Sequence, residues 1–196
     1  MAERVKFQQF YDSVVRGIRE VDNDTNVCIE PVTFDFAFPT GFSHAPGGNM
    51  YRNRSIICYH YYSPPDTNVE KTLKRKLQDM KKLGIPVMLS EYEGTPAARQ
   101  FAEDHQQAFF YWQYKDFGKN WGGTGEGAPS RWGRVGGDEE GLGIMVLPDG
   151  SLNEEEVPSK CRTMLRRTAG SLKRVHYSET TGEFYALYEA APGGTS

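Results

Sequence analysis

Hydrophobic positions near the start of the chain recur at helical spacing and then gather into short runs. Phe7, Phe10, Val14, Val15, Ile18 and Val21 fall three or four residues apart with charges between them, which predicts an amphipathic helix over residues 5–21. Asp22-Asn23-Asp24 ends it. TNVCIEPVT (25–33) predicts a strand and 34–53 a long loop. RSIICYHYY (54–62) predicts a second strand, which Ser63-Pro64-Pro65 stops because proline donates no ladder hydrogen bond. Val69, Leu73, Leu77, Met80 and Leu83 then form the stripe of a helix over 67–83, with Gly84 as its C-terminal stop. Lys71, Lys74, Arg75, Lys76, Lys81 and Lys82 lie mostly off that stripe and are expected on a solvated face.

IPVMLSEYEG (85–94) is the stretch on which the rest turns. A continuous apolar run bounded by Gly84 and Gly94 predicts a buried strand, and Glu91 is expected just past its end. A helix over 96–107 and a strand over 108–114 (AFFYWQY) follow. Strands alternating with helices predict an α/β fold, a parallel sheet with helices packed over it. The strands end in Glu30, then His60 and Tyr62, then Glu91, then Trp112 and Gln113. Parallel strands deliver such ends to one edge of the sheet, where α/β folds place their chemistry. Residues 118–143, rich in Gly, read as a mobile loop on that face, with Trp121 and Trp132 packing it down. They carry no GK[ST] phosphate loop. From Ile144 the pattern changes. A short helix over 162–170 and a hairpin of strands 171–177 and 183–188 predict the start of an all-β appendage. The expected domains are 1–147 and 148–196.

Composition narrows this only slightly. A net charge of -3 gives no support for nucleic-acid binding. Aromatic residues at 13% suit a core, but equally a site that stacks on sugar rings or holds lipid. Cys28, Cys58 and Cys161 are far apart with no CxxC spacing, which excludes a disulfide framework or a zinc site. Cys28 and Cys58 are expected as small buried strand residues. The four histidines show no ligand spacing, so no metal or other cofactor is expected. The opening MAERVKFQQFYDSV is already helical in pattern and shows no secretory signal, and no apolar run approaches a membrane span.

Taken together, EPVTFD (30–35), YHYYSP (59–64), LSEYEG (89–94) and YWQYKDF (111–117) resemble the endoglycoceramidases, clan members of the family-5 glycoside hydrolases. RTMLRRTAG (162–170) and the following YSETTGEFYALY resemble that family's segment leading into a C-terminal β-sandwich. The resemblance implies a (β/α)8 TIM barrel plus a small sandwich, and cleavage, with retention, between an oligosaccharide and ceramide or in a related β-glucosyl lipid. It makes Glu91 the nucleophile. His60 and Tyr62 become the strand-end pair beside it, Trp112 the platform under the sugar, and Gln113, Tyr114 and Lys115 lining residues. Retention needs two carboxyl groups roughly 5 Å apart. The family's acid/base glutamate lies in an Asn-Glu-Pro motif, which this sequence lacks. Glu30-Pro31 is preceded by Ile29 and matches the fifth strand, so Glu30 reads as an anchor for the loop after it.

The four strands therefore match strands five to eight. A complete barrel takes ~250 residues, and the N-terminal half-barrel is expected outside this sequence. A half-barrel has two open sheet edges, which invite self-association. The implied partner is a glycolipid or β-glucoside, with membrane-surface contact through the lipid. The family suggests a secreted or membrane-associated parent, with no signal in this chain. Two other readings stand beside this one: a non-catalytic remnant or pseudoenzyme that binds carbohydrate or glycolipid, and an α/β protein in which Glu91 and His60 are ordinary loop residues.

Overall fold

Helix α1 (Ala2–Arg19) turns Gln8, Asp12, Val15 and Arg19 inward, at helical spacings of four, three and four. The expected apolar stripe is only partly used, since Phe10, Val14 and Val21 are exposed. Polar groups take the inner face because the 39–48 segment offers them backbone partners. Gln8 Oε1 accepts the Ser43 amide at 3.0 Å and Asp12 Oδ1 accepts the Gly47 amide at 2.8 Å. His44 Nε2 lies 3.1 Å from Asp12 Oδ2. Gly47 adopts φ +82°, and a Cβ there would meet Val15 Cγ1 at 2.6 Å, so only glycine permits this approach.

The computed structural model describes residues 2–31, 39–62, 68–92, 96–111, 145–146, 149–154 and 157–192. They fall into two compact units, 1–90 and 91–196. In the first, strand β1 (Val27–Ile29) pairs in parallel with β2 (Ser55–Tyr61) in the register Val27↔Ser55, Cys28↔Ile56 and Ile29↔Ile57. On the other side of β2 lies β3 (Val87–Tyr92), joined where the Ile57 amide donates to Pro86 O at 2.9 Å and Ser90 Oγ to Tyr59 O at 3.2 Å. The strand order is β1-β2-β3-β4, with β4 (Phe109–Tyr111) belonging to the second unit, so β1 and β4 are the outermost strands among the described residues. Arg19 ties the start of this ladder together, donating to Asp22 O, Thr25 O and Arg54 O at 2.9, 2.8 and 3.1 Å. Residues 49–54, expected as loop, form 3₁₀ turns that lead straight into β2.

Helix α2 (Val69–Leu83) is capped at both ends; the Gly84 stop is as expected, whereas Asn68, expected inside a helix over 67–83, is the N-cap. Asn68 accepts the Lys71 amide, and Gly84 at φ 67° donates to Met80 O. Its basic face is not wholly solvated. The Lys76 side chain is fully buried, 4.0 Å from the Asp79 carboxylate, which is itself 3% exposed. Helical spacing alone could not show this, because the cause lies 39 positions away: Asp79 Oδ2 accepts the Thr40 amide at 2.9 Å. Lys82 Nζ donates to Phe42 O at 2.6 Å. The segment after β1 is thus pinned by α1 and α2 together.

In the second unit, α3 (Pro96–Asp104) packs on β5 (Gly170–Tyr177), which pairs antiparallel with β6 (Phe184–Ala190) through a turn at 178–182. The helix expected over 162–170 does not form; a single short helix, α4, occupies Val157–Lys160 instead. Arg162 is used through its side chain, paired with Glu103 and stacked 4.9 Å from the Tyr177 ring. The loop expected over 118–143, with Trp121 and Trp132, lies outside the described residues. Among the described residues, no helix is long and apolar enough to cross a membrane.

The anchoring of the 39–48 segment can be tested at two carboxylates. Asp79→Ala removes the acceptor of the Thr40 amide and a carboxylate 4.0 Å from the buried Lys76 ammonium, and is expected to cost about 1–3 kcal/mol in urea unfolding. Burial pushes the Asp12 carboxyl up, but the Gly47 amide, Gln8 and His44 outweigh it and hold it below its ordinary 3.8. A depressed folded value stabilises above 3.8, and that contribution is lost as pH falls through the lowered value. Asp12→Asn should therefore flatten the acid limb of a Tm-against-pH curve while lowering stability near neutrality by about 1–3 kcal/mol.

Candidate active site

Side chains alternate along a strand, so Cys28 and Glu30 share one face of the sheet, as do Cys58, His60 and Tyr62. The parallel register Cys28↔Ile56 sets these two rows side by side. At the strand ends, His60 Nε2 lies 2.5 Å from Glu30 Oε1, with side-chain exposures of 36% and 52%. That is open enough for a ligand to reach. The backbone of Glu30 is fixed separately. Tyr11 Oη donates to Glu30 O at 2.6 Å and accepts the Glu30 amide at 3.1 Å. Burial raises the Tyr11 phenol above its ordinary value, against the opposing pull of its hydrogen bond to Glu30. The start of the loop that Glu30 is expected to anchor, residues 32–38, lies outside the described residues; the Glu30 carboxylate holds His60. Sequence reading missed this pairing and the part played by Tyr11. The available signal was that Glu30 and His60 both terminate neighbouring parallel strands.

One layer deeper, Cys58 is buried while Cys28 is exposed, contrary to the expectation that both lie inside. β1 is an outermost strand among the described residues, so its residues are covered on fewer sides. Burial, and then the neighbouring Cys28 thiol, push the Cys58 thiol well above its ordinary value.

Glu91 lies within β3, one residue before its end, rather than past it. Burial alternates from Val87 to Ser90 and then breaks, because Ser90 and Glu91 are both half-buried before Tyr92 closes over. The break leaves Glu91 half-buried near the end of a strand whose Val87 and Leu89 are core. Tyr92 is 1% exposed and meets the Phe109 ring edge-on at 6.1 Å. Burial pushes its phenol up to about 12, against the pull of Arg99. Tyr62 is half-buried in the position immediately after β2. Trp112, Gln113, Tyr114 and Lys115 lie outside the described residues. Among the described residues, no group of three or more His, Cys, Asp or Glu is arranged to hold a metal ion.

The chain matches a family of known enzymes over most of this region. Residues 3–121 fit the Cellulase family (glycosyl hydrolase family 5). An endoglycoceramidase of Hydra vulgaris is 29% identical over 196 residues, covering 96% of this chain and 34% of that protein. An endoglycoceramidase of Cyanea nozakii is 36% identical over 118 residues, 55% of this chain and 23% of that one. Among solved structures, endo-glycoceramidase II from Rhodococcus sp. as its lactosyl-enzyme intermediate superposes with a TM-score of 0.58 at 21% identity, covering 87% of this chain and 38% of that chain. The same enzyme in complex with a five-membered iminocyclitol gives 0.55, over 86% and 39%. The chain therefore spans about a third of the length of the Hydra vulgaris and Rhodococcus relatives. Its parallel sheet with helices is part of a TIM-type barrel.

The two strand thiols should separate chemically. With iodoacetamide under native conditions, Cys28 and Cys161, both exposed, are expected to alkylate, and Cys58 to react about a hundredfold more slowly or not at all. Peptide mapping reads the order, and denaturant should abolish the difference.

Proposed function

We propose that this chain, which belongs to glycosyl hydrolase family 5, carries the nucleophile of a retaining glycosidase of the endoglycoceramidase type. The observation that carries the reading is Glu91, half-buried one residue before the C-terminal end of β3, in the LSEYEG stretch of a chain whose residues 3–121 fit the family. In a retaining mechanism the nucleophilic carboxylate attacks the anomeric carbon while a second carboxyl group protonates the leaving oxygen. Water then hydrolyses the glycosyl-enzyme, and the second group acts as base. The nucleophile must be ionised and aimed, and a hydrogen bond to the charged form serves both ends. Tyr62 fills that role in this reading. His60, steadied by Glu30, binds a sugar hydroxyl beside it. Trp112 stacks under the sugar in the reactive subsite, and Gln113 and Lys115 line the same end.

The substrate class is a glycolipid or β-glucoside, approached at a membrane surface through its lipid. The acid/base carboxyl belongs to barrel strands outside these 196 residues, and 148–196 begins the C-terminal β-sandwich, with 1–147 as barrel. Without Asn-Glu-Pro in the sequence, a carbohydrate-binding remnant is the second reading.

By itself the 196-residue chain is expected to show no turnover of a fluorogenic β-glucoside or a glycosphingolipid. The decisive experiment grafts it in place of the matching third of the Hydra vulgaris relative. Activity there, lowered about 10⁴-fold or more by Glu91→Gln with the fold intact, supports Glu91 as nucleophile. An active chimera indifferent to Glu91→Gln sinks the assignment. A folded, inactive chimera that still binds glycolipid favours the second reading.

A further inference from the structure

The second unit holds a cleft of about 340 Å³ between the first turn of α3 and the end of β5 with its turn. That volume falls among small-molecule pockets, which run ~300–1,000 Å³. Its polar lining includes Arg99, Gln100, Arg162, His176 and Glu179. The two guanidinium side chains are only 4% and 3% exposed. Buried cations are tolerated only when something negative or accepting faces them. Each has such a group, but the two groups differ in kind. Arg162 is paired with Glu103, whose side chain is 10% exposed and lies outside the cleft lining. Arg99 is paired with Glu179, which is 41% exposed on the turn between β5 and β6. Glu103 is nearly buried, whereas Glu179 stands on a surface turn where water reaches its side chain. His176 Nδ1 is 3.2 Å from Gln100 Nε2, which orients a third nitrogen-bearing group on the same cleft.

We infer that this cleft binds a small oxyanion, a carboxylate or a phosphate, in the place the Glu179 carboxylate occupies on Arg99. Burial lowers the Arg99 guanidinium from its ordinary value and the nearby Arg162 charge pushes the same way, while Tyr92 and Glu103 raise it. Two cations within reach of each other favour an incoming anion. Planar guanidinium forks suit carboxylate and phosphate oxygens, which they bind in pairs of hydrogen bonds. Two sources offer this chemistry: an acidic sugar and a phosphorylated lipid headgroup. The binding asks nothing of Glu91.

The 196-residue chain is titrated calorimetrically at low salt with sodium D-glucuronate and, separately, with glycerol 3-phosphate. Saturable binding of either supports the site, and the tighter probe identifies the source. Glu179→Gln removes the competing carboxylate and should tighten binding about tenfold, whereas Arg99→Lys, which loses the paired geometry, should weaken it by a similar factor. Gln100→Ala weakens binding more mildly and, with Glu179→Gln, carries the test should Arg99→Lys loosen α3; near-UV circular dichroism reports that. No saturable heat with either probe overturns the proposal. So does binding that Glu179→Gln leaves unchanged or weakens.

Discussion

Parallel pairing between neighbouring strands is the constraint that holds the first unit in place. Ile29 stands opposite Ile57, and the Ile57 amide reaches Pro86 O on the far side. Because side chains alternate with period two, a slip of one residue in either ladder would exchange the row holding Cys58 and His60 for the row holding Tyr59 and Tyr61. Tyr59 and Tyr61 are 1% and 0% exposed, so the slip would bring two large phenols out of the core. Burial of those rings fixes the register, and the register sets His60 against Glu30.

A short β1 of three residues cannot hold such a register unaided. The surrounding anchors supply the rest. Arg19 bonds the carbonyls that flank the entries to β1 and β2, Tyr11 fixes the exit of β1 at Glu30, and Asp12 with Asp79 clamp the segment beyond it. Each of these polar contacts is made to a backbone amide or carbonyl. The two buried ones, Asp12 on the Gly47 amide and Asp79 on the Thr40 amide, supply partners to backbone groups that lie away from water. The consequence is a strand end held rigidly while its side chain stays open to solvent, as a binding or catalytic edge requires.

In the second unit the same logic works through arginine. Arg99 and Arg162 join α3 to the β5–β6 hairpin and its approach through Glu179, Glu103 and the Tyr177 ring. The hairpin has only two strands among the described residues and leaves Tyr185, Leu187 and Tyr188 about half exposed. Apolar packing alone would hold it weakly, since an isolated two-stranded hairpin is marginal in water. The sheltered Arg162–Glu103 pair, the half-open Arg99–Glu179 pair and a guanidinium-aromatic contact tie it to α3.

Local pattern was enough to establish most of the elements and their order. Gly84 stops α2, the run before Glu91 forms a buried strand, and the β/α alternation gives a parallel sheet, because caps, periodicity and turn residues act over a few neighbouring positions. Four strand-end motifs sufficed to place the chain among the family-5 glycosidases. Which polar side chains the interior would keep was settled by long-range packing. Lys76 reads as a solvated face residue until its helical neighbour Asp79 proves buried on the Thr40 amide, Cys28 reads as buried until β1 proves outermost among the described residues, and the Glu30–His60 pair exists only through strand pairing. The Thr40–Asp79 and Glu30–His60 contacts join residues 30 or more positions apart, and no local pattern encodes them. The free energy of a buried charge depends on what the whole chain places next to it.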